Sequence, residues 1–176
     1  MNSIAVVGAN MAGARAAESL RSAGYDGHIH LIGEEPWRPY ERPPLSKEFL
    51  WEGGTPSGSF YLHDEHWYAS NKVELRLGVR TTAIDLRAGA LRLASGEAVQ
   101  ADRILLATGG AARRLPLPGA EAANVHHLRT LGDAAGCQEN AVRLNRFAAR
   151  EPQRAGAQVD LRCSHAQAEL DLVRGV

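Results

Sequence analysis

With 176 residues, 44% hydrophobic and 23% charged, the chain has an ordinary globular composition, and a single domain of this size buries roughly 70% of its unfolded surface. A formal charge of zero leaves no basic footprint for nucleic acid, and no run of residues is apolar over the length that a bilayer-spanning helix needs. The first residues lead straight into an apolar strand without a charged leader and cleavage site, so a cytoplasmic protein is expected.

The opening run Ile4-Ala5-Val6-Val7 feeds the turn Gly8-Ala9-Asn10-Met11-Ala12-Gly13. A strand entering a glycine-punctuated turn and then a helix presents backbone amides to a nucleotide pyrophosphate. Such a turn needs a tight bend at Gly8, close approach of the backbone near position 10 and a small residue at position 13, where helix meets strand. Asn10 stands where a middle glycine is usual. Asparagine tolerates left-handed angles, so the bend survives, while its side chain either crowds the phosphate or hydrogen-bonds it. Ala14, Ala16, Ala17, Leu20 and Ala23 predict a helix with a small-residue face that ends at Gly24. His28 to Gly33 reads as a second strand. Glu34 follows about twenty residues after Gly13, where an acid in a βαβ unit accepts hydrogen bonds from a ribose hydroxyl pair; Glu35 is the neighbouring candidate.

Pro43-Pro44 starts a predicted helix running through Phe49 to Trp51, and Gly53, Gly54, Pro56 and Gly58 mark a loop. His63 to Asn71 predicts a short helix, and Val73 to Leu77 returns to the sheet. Thr81 to Leu86, Ala90 to Ala94 and Ala98-Val99 read as a small antiparallel meander. Ile104 to Ala107 is a continuous apolar run, as expected of a strand buried on both faces, ending at Thr108-Gly109-Gly110. The fold class is therefore α/β: a Rossmann-like parallel sheet with helices on both faces, plus an antiparallel β-meander. Cys137 and Cys163 show no redox spacing and read as unpaired thiols. His63 and His66 lack a further ligand pattern, so no metal site is expected. His126 and His127, on successive positions of a strand, point to opposite faces and do not serve one site.

Four stretches carry a resemblance: Val6 to Gly13, Leu31-Ile32-Gly33-Glu34-Glu35-Pro36, Pro39-Tyr40-Glu41-Arg42-Pro43-Pro44-Leu45-Ser46-Lys47, and Arg103 to Gly109 followed by His127-Leu128-Arg129-Thr130-Leu131. Together they resemble the flavin-dependent ferredoxin and rubredoxin reductases, relatives of dioxygenase reductase components and of apoptosis-inducing factor, over about residues 3 to 133. The third stretch is the specific one. The resemblance implies FAD as cofactor, with Gly8, Ala9, Asn10, Met11, Ala12 and Gly13 around the pyrophosphate and Glu34 or Glu35 on the adenosine ribose. It further implies Arg42, Pro43 and Lys47 toward the phosphates and isoalloxazine, Thr81 beside the adenine end, and Ala107, Thr108, Gly109 and Arg129 closing over the cofactor. In such enzymes NAD(P)H reduces the flavin, which passes electrons to a small iron-sulfur or rubredoxin-type carrier. The protein supplies orientation and electrostatics, and no residue is singled out as a catalytic acid, base or nucleophile.

Residues 1–133 are thus expected to form an incomplete FAD-binding domain. The segment 134–176 is expected to lie outside the resemblance, and it shows no second strand-glycine-helix signature for a nicotinamide. Eighteen Arg against two Lys, with abundant Ala and Gly, suit GC-rich coding DNA, and a frame change or truncated gene is one expected origin of this segment. A helix near His165 to Val173 is expected there. Three readings stay open: the FAD-binding part of an NAD(P)H-dependent ferredoxin reductase; a non-catalytic FAD- or nucleotide-binding fragment without the nicotinamide domain; and an ordinary NAD-dependent Rossmann dehydrogenase, which leaves the Arg-Pro-Pro-Leu-Ser-Lys stretch unexplained.

Overall fold

A computed structural model describes residues 2–51, 60–123 and 125–137, which belong to the compact unit formed by residues 1–138. The expected loop at Gly53 to Gly58, Cys163 and the expected helix near His165 lie outside the described residues. Strand β1 (Ser3–Val7) leads to helix α1 (Met11–Ser22) and β2 (His28–Ile32). A 3-10 turn (Pro43–Ser46), α2 (Glu48–Trp51) and α3 (Glu65–Ser70) precede β3 (Val73–Arg76). The remaining strands are β4 (Thr81–Asp85), β5 (Ala90–Leu93), β6 (Ala98–Gln100) and β7 (Arg103–Leu106).

The parallel sheet has the order β3-β2-β1-β7, and β4, β5 and β6 form a separate antiparallel sheet. Alternation along β1 divides the core. Ile4 and Val6 pack with Ile29, Leu31, Ala17 of α1 and Tyr68 of α3, whereas Ala5 and Val7 pack with Ile32, Leu91, Leu93 and Val99. Among the described residues, α1 and α3 thus cover one face and the meander covers the other. Each fully buried Ile or Leu in these clusters contributes about 1.5–3 kcal/mol by leaving water.

Local rules account for the elements. Asp64 caps α3 by accepting from Trp67 N at 2.7 Å. In the last turn of α1, Arg21 donates to the carbonyls of Tyr25, Asn71 and Lys72, tying the helix end to the entry of β3. The helix expected from Pro43 to Trp51 is instead two pieces, because Lys47 leaves helical geometry (φ −128°, ψ −108°) between the 3-10 turn and α2. Tyr40, Leu45, Phe49 and Phe60 form a third cluster with Leu131 and Ala134. The expected boundary after residue 133 falls within a helical stretch, 131–137, whose Ala134 is fully buried.

Strand β7 corrects an expectation. It pairs with β1 alone among the described residues, and its Leu105 and Leu106 are 41% and 60% exposed rather than buried on both faces. Ile104 packs against the meander side and Ala107 against the helix side, but nothing described here flanks the outer edge of the strand.

Candidate functional site: a cleft at the ends of the parallel strands

The register pairs Val7 with both Ile32 and Leu106, so β1, β2 and β7 end level with one another. The chain leaves β1 toward β2 on one side and β7 lies on the other, the point where strand order reverses and open α/β sheets hold ligands. A cleft of about 820 Å³ opens there.

Its floor is backbone. Gly8 has φ +121°, and a Cβ at that position would stand 2.0 Å from the Ala107 oxygen; only glycine combines that angle with that approach. A Cβ on Gly13 would stand 2.0 Å from the Gly8 oxygen, so α1 is seated directly on the turn. Asn10 is extended (φ −122°) rather than left-handed, and the left-handed duty falls to Gly8. Its side chain is occupied: Oδ1 accepts from Ala12 N and Gly13 N at 2.9 and 3.2 Å, capping α1, while Nδ2 donates to the Ala107 oxygen at 2.6 Å. One side chain therefore joins the start of α1 to the end of β7.

The rim is charged and polar. Glu34 is exposed at the end of β2. Glu35 has both oxygens engaged, Oε1 by Arg42 Nη2 at 2.9 Å and Oε2 by the Tyr40 hydroxyl at 2.5 Å. Arg42 Nη1 also donates to the Arg129 carbonyl, and Arg129 Nε donates to the Gly110 carbonyl at 3.0 Å. Burial, reinforced by Glu35, holds the Tyr40 pKa far above the usual phenol value, so its hydroxyl remains a donor. Thr81 Oγ1 is buried with no hydrogen-bond partner among the described residues.

Of the residues singled out from the sequence, Gly8, Ala9, Asn10, Glu34, Glu35, Arg42, Thr81, Thr108, Gly109 and Arg129 line the cleft. Met11, Ala12, Gly13, Pro43, Lys47 and Ala107 do not. Gly13 and Ala107 shape the cleft from behind, and Lys47 is exposed outside it. Arg80, Arg114, His127 and Asp133 also line it and went unassigned in the sequence. The segment carrying His126 and His127 is not a strand, so the alternation argued for them does not apply. The Arg80-Thr81 adjacency was a usable signal for Arg80, and the motif His127-Leu128-Arg129 for His127.

Asp133 organises the segment that bears Arg129. Its Oδ2 accepts from Thr130 N at 2.8 Å and Arg129 N at 3.0 Å, and its own amide donates to Thr130 Oγ1, a reciprocal capping box. Burial acts to raise its pKa, but the hydrogen bonds from Thr130 and Arg129 outweigh it and the net shift is downward from 3.8. The carboxylate's stabilising contribution is therefore complete above pH 3.8 and is lost as pH falls through the lowered native value. The protection factor of the Thr130 amide, its exchange rate relative to an unstructured peptide at the same pH, is expected to hold at pH 5 and to fall only in stronger acid, a dependence that Asp133→Asn removes; the same acid response in that variant would refute the assignment.

A protein-family model described as pyridine nucleotide-disulphide oxidoreductase matches residues 2–150. The ferredoxin--NAD(+) reductase component of the biphenyl dioxygenase system from Paraburkholderia xenovorans is 42% identical over 134 residues, covering 76% of this chain and 32% of that protein. Rhodocoxin reductase of Rhodococcus erythropolis is 41% identical over 132 residues, with 75% and 31% coverage. Among solved structures, the ferredoxin reductase for the CYP199A2 system from Rhodopseudomonas palustris superposes with a TM-score of 0.73 at 37% identity, covering 81% of this chain and 35% of that one. The putidaredoxin reductase in its covalent complex with putidaredoxin gives 0.68 at 36% identity, covering 79% and 34%. The chain spans about a third of the length of the relatives it matches. With a strand-turn-helix cleft of this geometry and a family match over most of its length, the chain belongs to the pyridine nucleotide-disulphide oxidoreductase family.

Proposed function

We propose that this chain forms the FAD-binding part of an NAD(P)H-dependent ferredoxin reductase that serves a small iron-sulfur or rubredoxin-type carrier. The observation that carries the reading is the cleft itself, which opens beside the strand-turn-helix at the level strand ends and whose Gly8 floor, lacking a Cβ, lets the Ala107 backbone close up behind it. FAD, when bound, supplies the capacity to accept a hydride and release single electrons. The chain's own contribution is to bind and orient. Glu34 is the ribose acceptor at the end of β2, Arg42 and Arg129 bring positive charge to the rim, and Thr81 Oγ1 is an unused polar atom inside it. Names of relatives that mention ferredoxin, rubredoxin and putidaredoxin favour a carrier of that kind.

The test is an absorption spectrum of the purified chain after incubation with FAD and desalting, followed by anaerobic NADH and then NADPH. Retained flavin that bleaches supports the full proposal. Retained flavin that stays oxidised under both donors reduces it to a cofactor-binding function, the alternative left open by the sequence. Absence of flavin in the desalted protein overturns it.

A further inference from the structure

The carboxylate of Glu35 was a ribose candidate, yet each of its oxygens already accepts a hydrogen bond from within the protein. Following those bonds outward leads away from β2 and into the segment that carries Arg129. The Tyr40 hydroxyl, which donates to Glu35, also accepts from the backbone N of Leu131 at 2.9 Å in a buried setting. Leu131 opens the helical stretch 131–137, and its N–H is one of the donors that a helix leaves without an internal partner. Arg42, held by Glu35, donates to the carbonyl of Arg129. Two branches from one carboxylate thus end on residues 129 and 131, and Asp133 stiffens the turn between them.

Packing makes the arrangement rigid rather than incidental. Tyr40 is 4% exposed and stacks on Phe60 with ring centroids 4.9 Å apart, and Leu131 is buried in the same cluster. A buried N–H that loses its acceptor carries its full desolvation cost, so the strap cannot shift without leaving Leu131 N or the Tyr40 hydroxyl unpaired.

We infer that Glu35 is a positioning residue: through Tyr40 and Arg42 it latches the 129–134 strap over the cleft and holds Arg129 at the rim. The inference rests on the cleft being the FAD site proposed above, but the latch is a property of the chain alone. It assigns the two adjacent acids different work, with Glu34 left for the ligand and Glu35 directed to the protein.

The experiment compares the full chain with Glu35→Gln, Tyr40→Phe and the double variant. Hydrogen exchange of residues 129–134 is followed without FAD, and the FAD dissociation rate is measured in parallel. Each single substitution is expected to speed exchange of that segment about tenfold and to speed FAD release by a similar factor. Glu35→Gln should have no additional effect in the Tyr40→Phe background for exchange carried through the hydroxyl, because the relay is already broken. Unchanged exchange at 129–134 in both single variants overturns the latch, as does a double variant whose effect at the Leu131 amide, the one Tyr40 holds, is the product of the two. If the unsubstituted chain binds no FAD, the cofactor reading fails while the exchange data still decide the latch. Should Glu35→Gln not fold, Tyr40→Phe keeps the ring on Phe60 and decides alone, by whether residues 129–134 lose protection.

Discussion

Alanine at position 13 is expected to destabilise the chain by about 3 kcal/mol, the upper end for overpacking a site that cannot yield, and to lower the melting temperature by roughly 6–12 °C. Two effects oppose each other at this position. Gly13 lies inside α1, and helix propensity alone favours alanine over glycine by about 1 kcal/mol. Against it, the new Cβ would lie 2.0 Å from the Gly8 carbonyl oxygen and 3.0 Å from Leu31 Cδ1. The first of these is backbone, pinned because Gly8 N donates to the Ile32 carbonyl at 2.7 Å. α1 must therefore lift from the turn, and packing outweighs propensity. Gly24→Ala is the control: its φ is +83° but nothing lies within 4 Å of the added carbon, so only backbone strain of about 1–2 kcal/mol is expected. Thermal unfolding followed by circular dichroism separates the two, and a Gly13→Ala variant that melts no lower than the parent would contradict the seating described for α1.

The second large effect is on ligand affinity. Asn10→Asp is expected to weaken FAD binding 30- to 100-fold, a cost of about 2–3 kcal/mol. Aspartate caps a helix as well as asparagine does, so α1 keeps its cap. What changes is charge and one donor. The carboxylate cannot donate to the Ala107 oxygen, which Asn10 Nδ2 reaches at 2.6 Å, and it puts a negative charge in the lining of a cleft proposed to hold a diphosphate. Two unit charges about 4 Å apart near a protein surface interact by about 4 kcal/mol, and the open, wet rim reduces this toward the stated value. Asn10→Ser distinguishes the causes, since it retains the cap and loses the same donor without adding charge. Fluorescence titration with FAD should find Asn10→Ser closer to the parent than to Asn10→Asp, and the Asp defect should shrink as salt is added. Equal affinity of Asn10→Asp and the parent would remove the pyrophosphate from this end of α1.

The parts of the fold that follow from short-range rules are legible in the sequence. Gly8 and Gly13 announce a strand-turn-helix because bends and close approaches restrict residue type locally, and the meander is legible from alternation between turn residues at Gly89 and Gly96. Exposure of β7 is not, since an apolar run from Ile104 to Leu106 states what the strand prefers and not what the described residues supply to cover it. Whether the Asn10 side chain crowds a phosphate or hydrogen-bonds it stayed open in the sequence, because its protein partner, the Ala107 oxygen just past β7, is distant along the chain. Glu34 and Glu35 look equivalent in line. They diverge only once Tyr40 and Arg42 are folded back beside Glu35, which no local pattern specifies. His127 was set aside by assuming a strand where the backbone is irregular.

The hydrogen bond from Asn10 to Ala107 crosses 97 positions of sequence, and the β1–β7 ladder behind it pairs Ile4 with Arg103. This separation sets an order of events during folding. β1, α1 and β2 can associate early, because their crossover is short and the entropy of closing it is small. The wall formed by β7 cannot join until some hundred residues have been made and the meander has been threaded between. Assembly of the cleft therefore follows that of the first strand-helix-strand unit, and nascent chains released before Leu106 would carry the glycine turn on an unpaired flank of β1.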